Sequence, residues 1–165
     1  MVYCLLFMIQ TTLGVDCYVP GSDVLKYEIV SDNNVDIVDV DNNFLKKALH
    51  SSFDHYFYPL LPGATKIWEN ESGDDGGNLR TVYFRQEFNI IGVPIFGHLT
   101  TGCDYSITTL INGVDINCGA GNPYVLVSCD VLRFLKPHYN VIRFGCWSDG
   151  GGAYFSFKLS IESRV

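Results

Sequence analysis

The chain has 165 residues, a net charge of −7, 47% hydrophobic residues and only 18% charged ones. Charged residues usually make up about a quarter of a globular chain, so much apolar surface has to be buried, and one domain of this size can bury it. The acidic balance and the lack of any basic run exclude an electrostatic groove for nucleic acid.

The first 14 residues, MVYCLLFMIQTTLG, are apolar and too short to span a bilayer, so no membrane span is expected. They read as the hydrophobic region of a signal peptide, with Thr12 and Gly14 as small residues before a cleavage point after Gly14. An N-terminal strand is the alternative, because no Lys or Arg precedes the apolar run. Residues 15–165 then form a single domain. Cleavage would remove Cys4 and leave Cys17, Cys103, Cys118, Cys129 and Cys146, an odd number that implies a free thiol or an intermolecular bridge. No cysteine has zinc-site spacing. Asn70-Glu71-Ser72 is the only N-glycosylation sequon. These features point to a secreted or surface-displayed glycoprotein.

Pro20-Gly21 turns the chain. Residues 24–30 and 35–40 read as short strands joined by Ser31-Asp32-Asn33-Asn34, a turn. Asp39, Asp41 and Asn43 have the alternate spacing of a calcium loop but lack its glycine and its terminal glutamate, so a solvated strand edge is the plainer reading. Residues 42–58 read as the one helix: Leu45, Ala48, Leu49, Ser52, Phe53 and Tyr56 repeat at helical spacing, Asp41 or Asn42 can cap it, and Pro59 ends it. Residues 64–69 are a short strand carrying Trp68, read as core. In the Gly-rich loop 71–78, Asp74 and Asp75 are further calcium candidates, set against the plainer reading of a solvated loop.

Residues 80–88 alternate Val82, Phe84, Gln86 and Phe88 with Tyr83, Arg85 and Glu87, and a second strand follows near 95–100. Residues 105–117 form a hairpin, because Asn112-Gly113 suits a type I′ turn that needs positive φ at both positions. The loop CGAGNPY at 118–124 lacks the lysine and helix of a phosphate loop. Residues 130–135 read as one capped turn. Residues 140–147 alternate Ile142, Phe144 and Cys146 with Val141, Arg143 and Gly145, and a Gly-rich turn leads to the last strand, 154–161. No GxSxG or HExxH motif occurs, and no two acids form a recognisable glycosidase pair, so catalysis is not expected.

Four blocks, in order, carry a family resemblance: Thr81 to Phe88 (TVYFRQEF), Asp104 to Gly113 (DYSITTLING), Asp130-Val131 through Lys136-Pro137 to Asn140-Val141-Ile142, and Gly150 to Phe155 (GGGAYF). Over residues 64–162 the chain resembles the galactose-binding-like β-sandwich found in carbohydrate-binding modules and glycosidase accessory domains. His138-Tyr139 departs from the pattern, which has glycine before the asparagine. The resemblance implies an all-β, antiparallel jelly-roll sandwich, here with one N-terminal helix, whose rim loops bind ligand and which often holds a structural calcium; no other cofactor is implied. If Ile111 faces the core, so do Thr109, Ile107, Tyr105 and Cys103, while Cys146 shares a face with Ile142 and Phe144. The two strands are neighbours in that fold, so a Cys103–Cys146 bridge is implied.

The function expected on this basis is a non-catalytic carbohydrate-binding or adhesion module acting outside the cell on a glycan or glycoprotein surface. Sugar sites combine aromatic platforms with planar polar groups, and the rim candidates are Asn122 with Tyr124 and Trp147 with Asp149. Loop anchoring of Tyr124 and strand-end packing of Trp147 are the plainer alternatives. The second expectation is a structural or assembly protein, such as a viral surface or capsid-associated component, whose partner is another protein or itself.

Overall fold

The computed structural model describes residues 23–52, 61–73, 77, 79–119 and 125–165. The proposed signal peptide, Cys4, Cys17, and the second part of the predicted helix, from residue 53 onward, lie outside these residues.

The described chain is an antiparallel β-sandwich. Its strands are β1 (Val24–Val30), β2 (Asp36–Val38), β3 (Phe44–Lys47), β4 (Leu49–His50), β5 (Ile67–Trp68), β6 (Arg80–Ile90), β7 (Val93–Cys103), β8 (Ser106–Ile111), β9 (Val114–Asp115), β10 (Val127–Asp130), β11 (His138–Ser148) and β12 (Phe155–Arg164). Sheet I runs β10-β7-β12-β5-β4, with β1 also alongside β12. Sheet II runs β3-β2-β6-β11-β8-β9. Among the described residues the helical content is one 3₁₀ turn, Leu132–Phe134, whose entry is tied by the Leu132 N–H donating to Asp130 Oδ1 at 3.0 Å.

The period-2 alternation of the long strands builds the core. Phe84 and Phe144 face each other across β6 and β11, and both are fully buried. From sheet I, Phe155 stacks on Phe84 at 4.6 Å and Phe157 lies 4.8 Å from Phe144. Trp68 closes the cluster 5.7 Å from Phe84, wholly buried as expected. Aromatic side chains bury large areas, and these five join the two sheets through one contact chain.

The predicted helix does not form over its described part. Asn42 has φ +70°, Asp39 Oδ1 accepts the Asn43 N–H at 2.8 Å, and the chain doubles back so that β3 pairs antiparallel with β2. Among the described residues of the predicted helical face, Ala48 alone is fully buried: its N–H donates to Val35 O, and the chain passes there from sheet II into β4 of sheet I. Leu45 is 59% exposed. The helical spacing was real, but pairing with β2 decided the backbone, since tertiary context overrides a short local pattern.

Two of the four blocks that carry the family resemblance, the hairpin and the segment from Asp130 to Ile142, meet in one hydrogen-bond network. Asn140 is fully buried. Its Nδ2 donates to Lys136 O at 2.8 Å and His138 O at 3.0 Å, and its Oδ1 accepts from Lys136 N and from Asn112 Nδ2. Asn112 also donates to Phe134 O and accepts the Val141 N–H. The side chain of the hairpin asparagine thus locks the turn before β11. His138, at φ +67°, occupies the left-handed position where the family pattern has glycine.

One disulfide crosses between the sheets and a second ties the segment after β9 to sheet I. Cys103 of β7 bridges Cys146 of β11, and Cys118, just past β9, bridges Cys129 of β10. The first is the pair the resemblance implied, but its geometry needs correcting. Cys103 ends β7 in sheet I and is not in line with Ile107 on β8, because the chain turns at Asp104 and Tyr105. That turn resets the alternation, so Tyr105 leaves the core face and is 39% exposed.

Candidate functional site

The outer face of sheet II carries the residues that point away from the core on β6, β8 and β11. On its β2 side this face is filled by charge pairing. Arg85 and Arg143 sit directly opposite each other, an arrangement that like charges disfavour. Partners offset it. Arg85 Nη2 donates to Asp36 Oδ2 at 2.8 Å, and Arg143 Nη2 donates to the Asp39 and Val40 carbonyls, both at 2.9 Å. The Arg143 guanidinium also lies 4.7 Å from the centre of the Tyr83 ring. Burial pushes the Asp36 carboxyl up, but hydrogen bonds and charges from Lys47 and Arg85 outweigh that and hold it below the usual carboxylate range. This part of the face is a structural clamp held through the two Nη2 groups, while the Nε of each arginine is buried with no hydrogen-bond partner among the described residues.

The other end of the face is open. Trp147, half-buried at the end of β11, meets Tyr105 edge to face, with ring centres 4.7 Å apart. Asp149 is exposed two residues beyond Trp147, at the head of the Gly-rich turn. The Tyr105 partnership was missed in the sequence because the alternation was carried through the Asp104–Tyr105 turn; the acidic turn residue after Cys103 was the available signal.

Further along β8 is a shallow pocket of about 200 Å³ between that strand and the segment 115–119, lined by Ile107, Thr108, Thr109, Asp115, Asn117, Cys118 and Gly119. Its walls are fixed. Asp115 Oδ1 accepts the Asn117 N–H at 2.8 Å, and Thr109 Oγ1 donates to Cys118 O at 3.0 Å. Asn117 adopts φ +52°, and Gly119 packs so closely on Ile107 O that no Cβ would fit. None of these residues stands out in the sequence as a ligand candidate, since the pocket exists only where the chain peels away from β8.

Of the other predicted residues, Asn122, Tyr124, Asp74 and Asp75 lie outside the described residues. Asp39 is committed to its own turn, its two oxygens accepting the Asn43 N–H and side-chain amide. The side-chain amide and then the backbone N–H of Asn43 hold its carboxyl below the usual range. Asp41 is exposed. Among the described residues no group of three or more His, Cys, Asp or Glu side chains could hold a metal ion. Asn70 is half-buried, and its Oδ1 accepts from the Ser72 hydroxyl at 3.1 Å. Among the described residues no helix is long and apolar enough to cross a membrane.

No protein-family model matches this chain, and no curated protein matches it. Solved structures do. A Ruminococcus gnavus β-glucuronidase is similar over 96% of this chain at 13% identity, with a TM-score of 0.51. A β-glucuronidase of the same organism in complex with C6-substituted uronic isofagomine is similar over 98% at 9% identity, with a TM-score of 0.50. This chain spans 30% and 31% of the length of those chains. At such identities the likeness shows a shared sandwich fold.

Proposed function

We propose that this protein is a non-catalytic carbohydrate-binding module with a galactose-binding-like sandwich, acting outside the cell on a glycan or glycoprotein surface. The observation that carries the reading is the Tyr105–Trp147 pair: two aromatic rings at the sheet end, one of them exposed, with an exposed carboxylate at Asp149. An aromatic face with adjacent polar groups is the chemistry that sugar rings require, and Trp147 sits on a rigid strand, β11, with Tyr105 and Asp149 on the turns beside it. Sandwich domains of similar fold occur within the β-glucuronidases named above, which act on carbohydrate, and that supports the same class. Two disulfides suit an oxidising compartment, as does the Asn70-Glu71-Ser72 sequon.

The test is a glycan-array screen of the protein made in an oxidising compartment, with and without calcium. The expected result is reproducible glycan binding that Trp147→Ala and Tyr105→Ala abolish while the melting temperature is kept. Binding lost on chelation would assign a structural calcium, and Asp39, Asp41, Asp74 and Asp75 would be substituted next. A clean negative from folded protein overturns the reading.

One observation favours the second reading, a structural or assembly component. Strand β3 is an edge of sheet II, and Phe44 and Leu45, 56% and 59% exposed, point to opposite sides of it. An exposed apolar edge strand is a template for pairing with another chain. Under that reading the protein self-associates at micromolar concentration in analytical ultracentrifugation, and Leu45→Lys dissociates it.

A further inference from the structure

We infer that the pocket between β8 and segment 115–119 is a subsite for one ring of a neutral hexose oligosaccharide, adjoining the Tyr105–Trp147 platform; this rests on the carbohydrate-binding reading above. Its volume of about 200 Å³ is below the roughly 300–1,000 Å³ of sites for drug-sized ligands, so it holds one ring at a time. The lining suits a polyol, in which each hydroxyl both donates and accepts. The Asp115 carboxylate has several acceptor positions, of which the Asn117 N–H takes one. The Asn117 amide both donates and accepts, and the Thr108 hydroxyl, which donates to Gly145 O at 3.5 Å, keeps acceptor positions.

Charge sets the sugar class. The described lining includes a carboxylate and no Lys or Arg, and the whole chain carries −7. A uronate, sulfate or phosphate would be placed beside Asp115 with no counter-charge, an arrangement that disfavours binding. The pocket therefore takes neutral sugars, even though the β-glucuronidases of similar fold act on acidic ones.

Position and rigidity support the same assignment. Ser106 pairs with Trp147, and Thr108 lies two residues further along β8, about 7 Å away. Neighbouring rings of one oligosaccharide can thus occupy the platform and the pocket together. The pocket wall includes Cys118, held to sheet I by its disulfide to Cys129, so little ordering is needed on binding.

The experiment is titration calorimetry of the full oxidised chain. The probes are the neutral hexose oligosaccharide selected on the array and its counterpart with a terminal uronic acid. Asp115→Asn and Thr108→Val are compared with wild type, and amide shifts of Asp115 and Asn117 are followed by NMR. The expected result is about tenfold weaker binding of the neutral sugar for each variant, as for loss of a charged or fully made hydrogen bond. The uronic-acid probe should bind wild type more weakly than the neutral one and gain from Asp115→Asn. Should a variant fail to fold, the wild-type amide shifts decide. Binding that neither variant weakens and that leaves those amides unmoved refutes the subsite and leaves the carbohydrate reading standing on Trp147. Preference for the uronic acid refutes the charge argument. No glycan bound by folded wild type overturns both readings.

Discussion

Replacing Asn140 with alanine tests whether the residues behind the family resemblance hold the fold. The side chain is fully buried and makes four hydrogen bonds, two donated from Nδ2 and two accepted by Oδ1. Each contributes about 0.5–1.5 kcal/mol net, so the loss is expected between about 2 and 6 kcal/mol. For a domain of this size a loss near 4 kcal/mol lowers the melting temperature by roughly 8–16 °C. Urea denaturation followed by tryptophan fluorescence reads this directly, as a fall in midpoint at unchanged slope. Asn140→Asp separates hydrogen bonding from cavity formation, because it keeps the shape. It sets a carboxylate oxygen against the Lys136 and His138 carbonyls, and is expected to cost at least as much as alanine. A cycle with Asn112→Ala should show coupling, since the two side chains are bonded directly. If both Asn140 variants lose less than about 1 kcal/mol, the network does not hold the turn before β11 and the reasoning fails.

Three other outcomes follow from the geometry. Cys103 and Cys146 are 43 residues apart and Cys118 and Cys129 are 11 apart, so loop-closure entropy predicts losses of about 4 and about 3 kcal/mol when each pair becomes serine; the reverse order in urea melts would contradict it. Asp36 has its folded pKa depressed, so its contribution to stability is present above its unfolded pKa of about 3.9 and is lost as pH falls through the lower folded value. Asp36→Asn should therefore flatten the stability curve below about pH 4, and an unchanged acid limb would exclude the clamp. At Gly145 a Cβ would sit 2.7 Å from Thr108 Oγ1 and 3.1 Å from the Tyr83 ring, so Gly145→Ala should cost about 1–3 kcal/mol, measured as a drop in urea midpoint.

Local pattern was enough for much of this molecule. Asn112 and Gly113 both have positive φ, and Ile111 pairs with Val114 across them, as the Asn-Gly turn requires. The alternations of residues 80–88, 140–147 and 154–161 became β6, β11 and β12, with the predicted faces inward, because strand periodicity is a property of the chain itself. Trp147 and Asp149 could be named from residue type alone. What they adjoin could not. The Tyr105 ring and the Thr108–Asp115–Asn117 pocket depend on where the chain leaves one strand, and a single turn residue shifts every later side chain to the other face.

Sequence by itself therefore determined the class of fold, its long strands and its central hairpin. Only the tertiary structure decided that residues 44–47 are an edge strand, that Val127–Asp130 joins sheet I and that Cys118 meets Cys129. The physical reason is range. Turns and alternation are set by neighbours in the chain, whereas edge pairing, disulfide partners and a pocket wall are set by segments that meet only once the two sheets have packed.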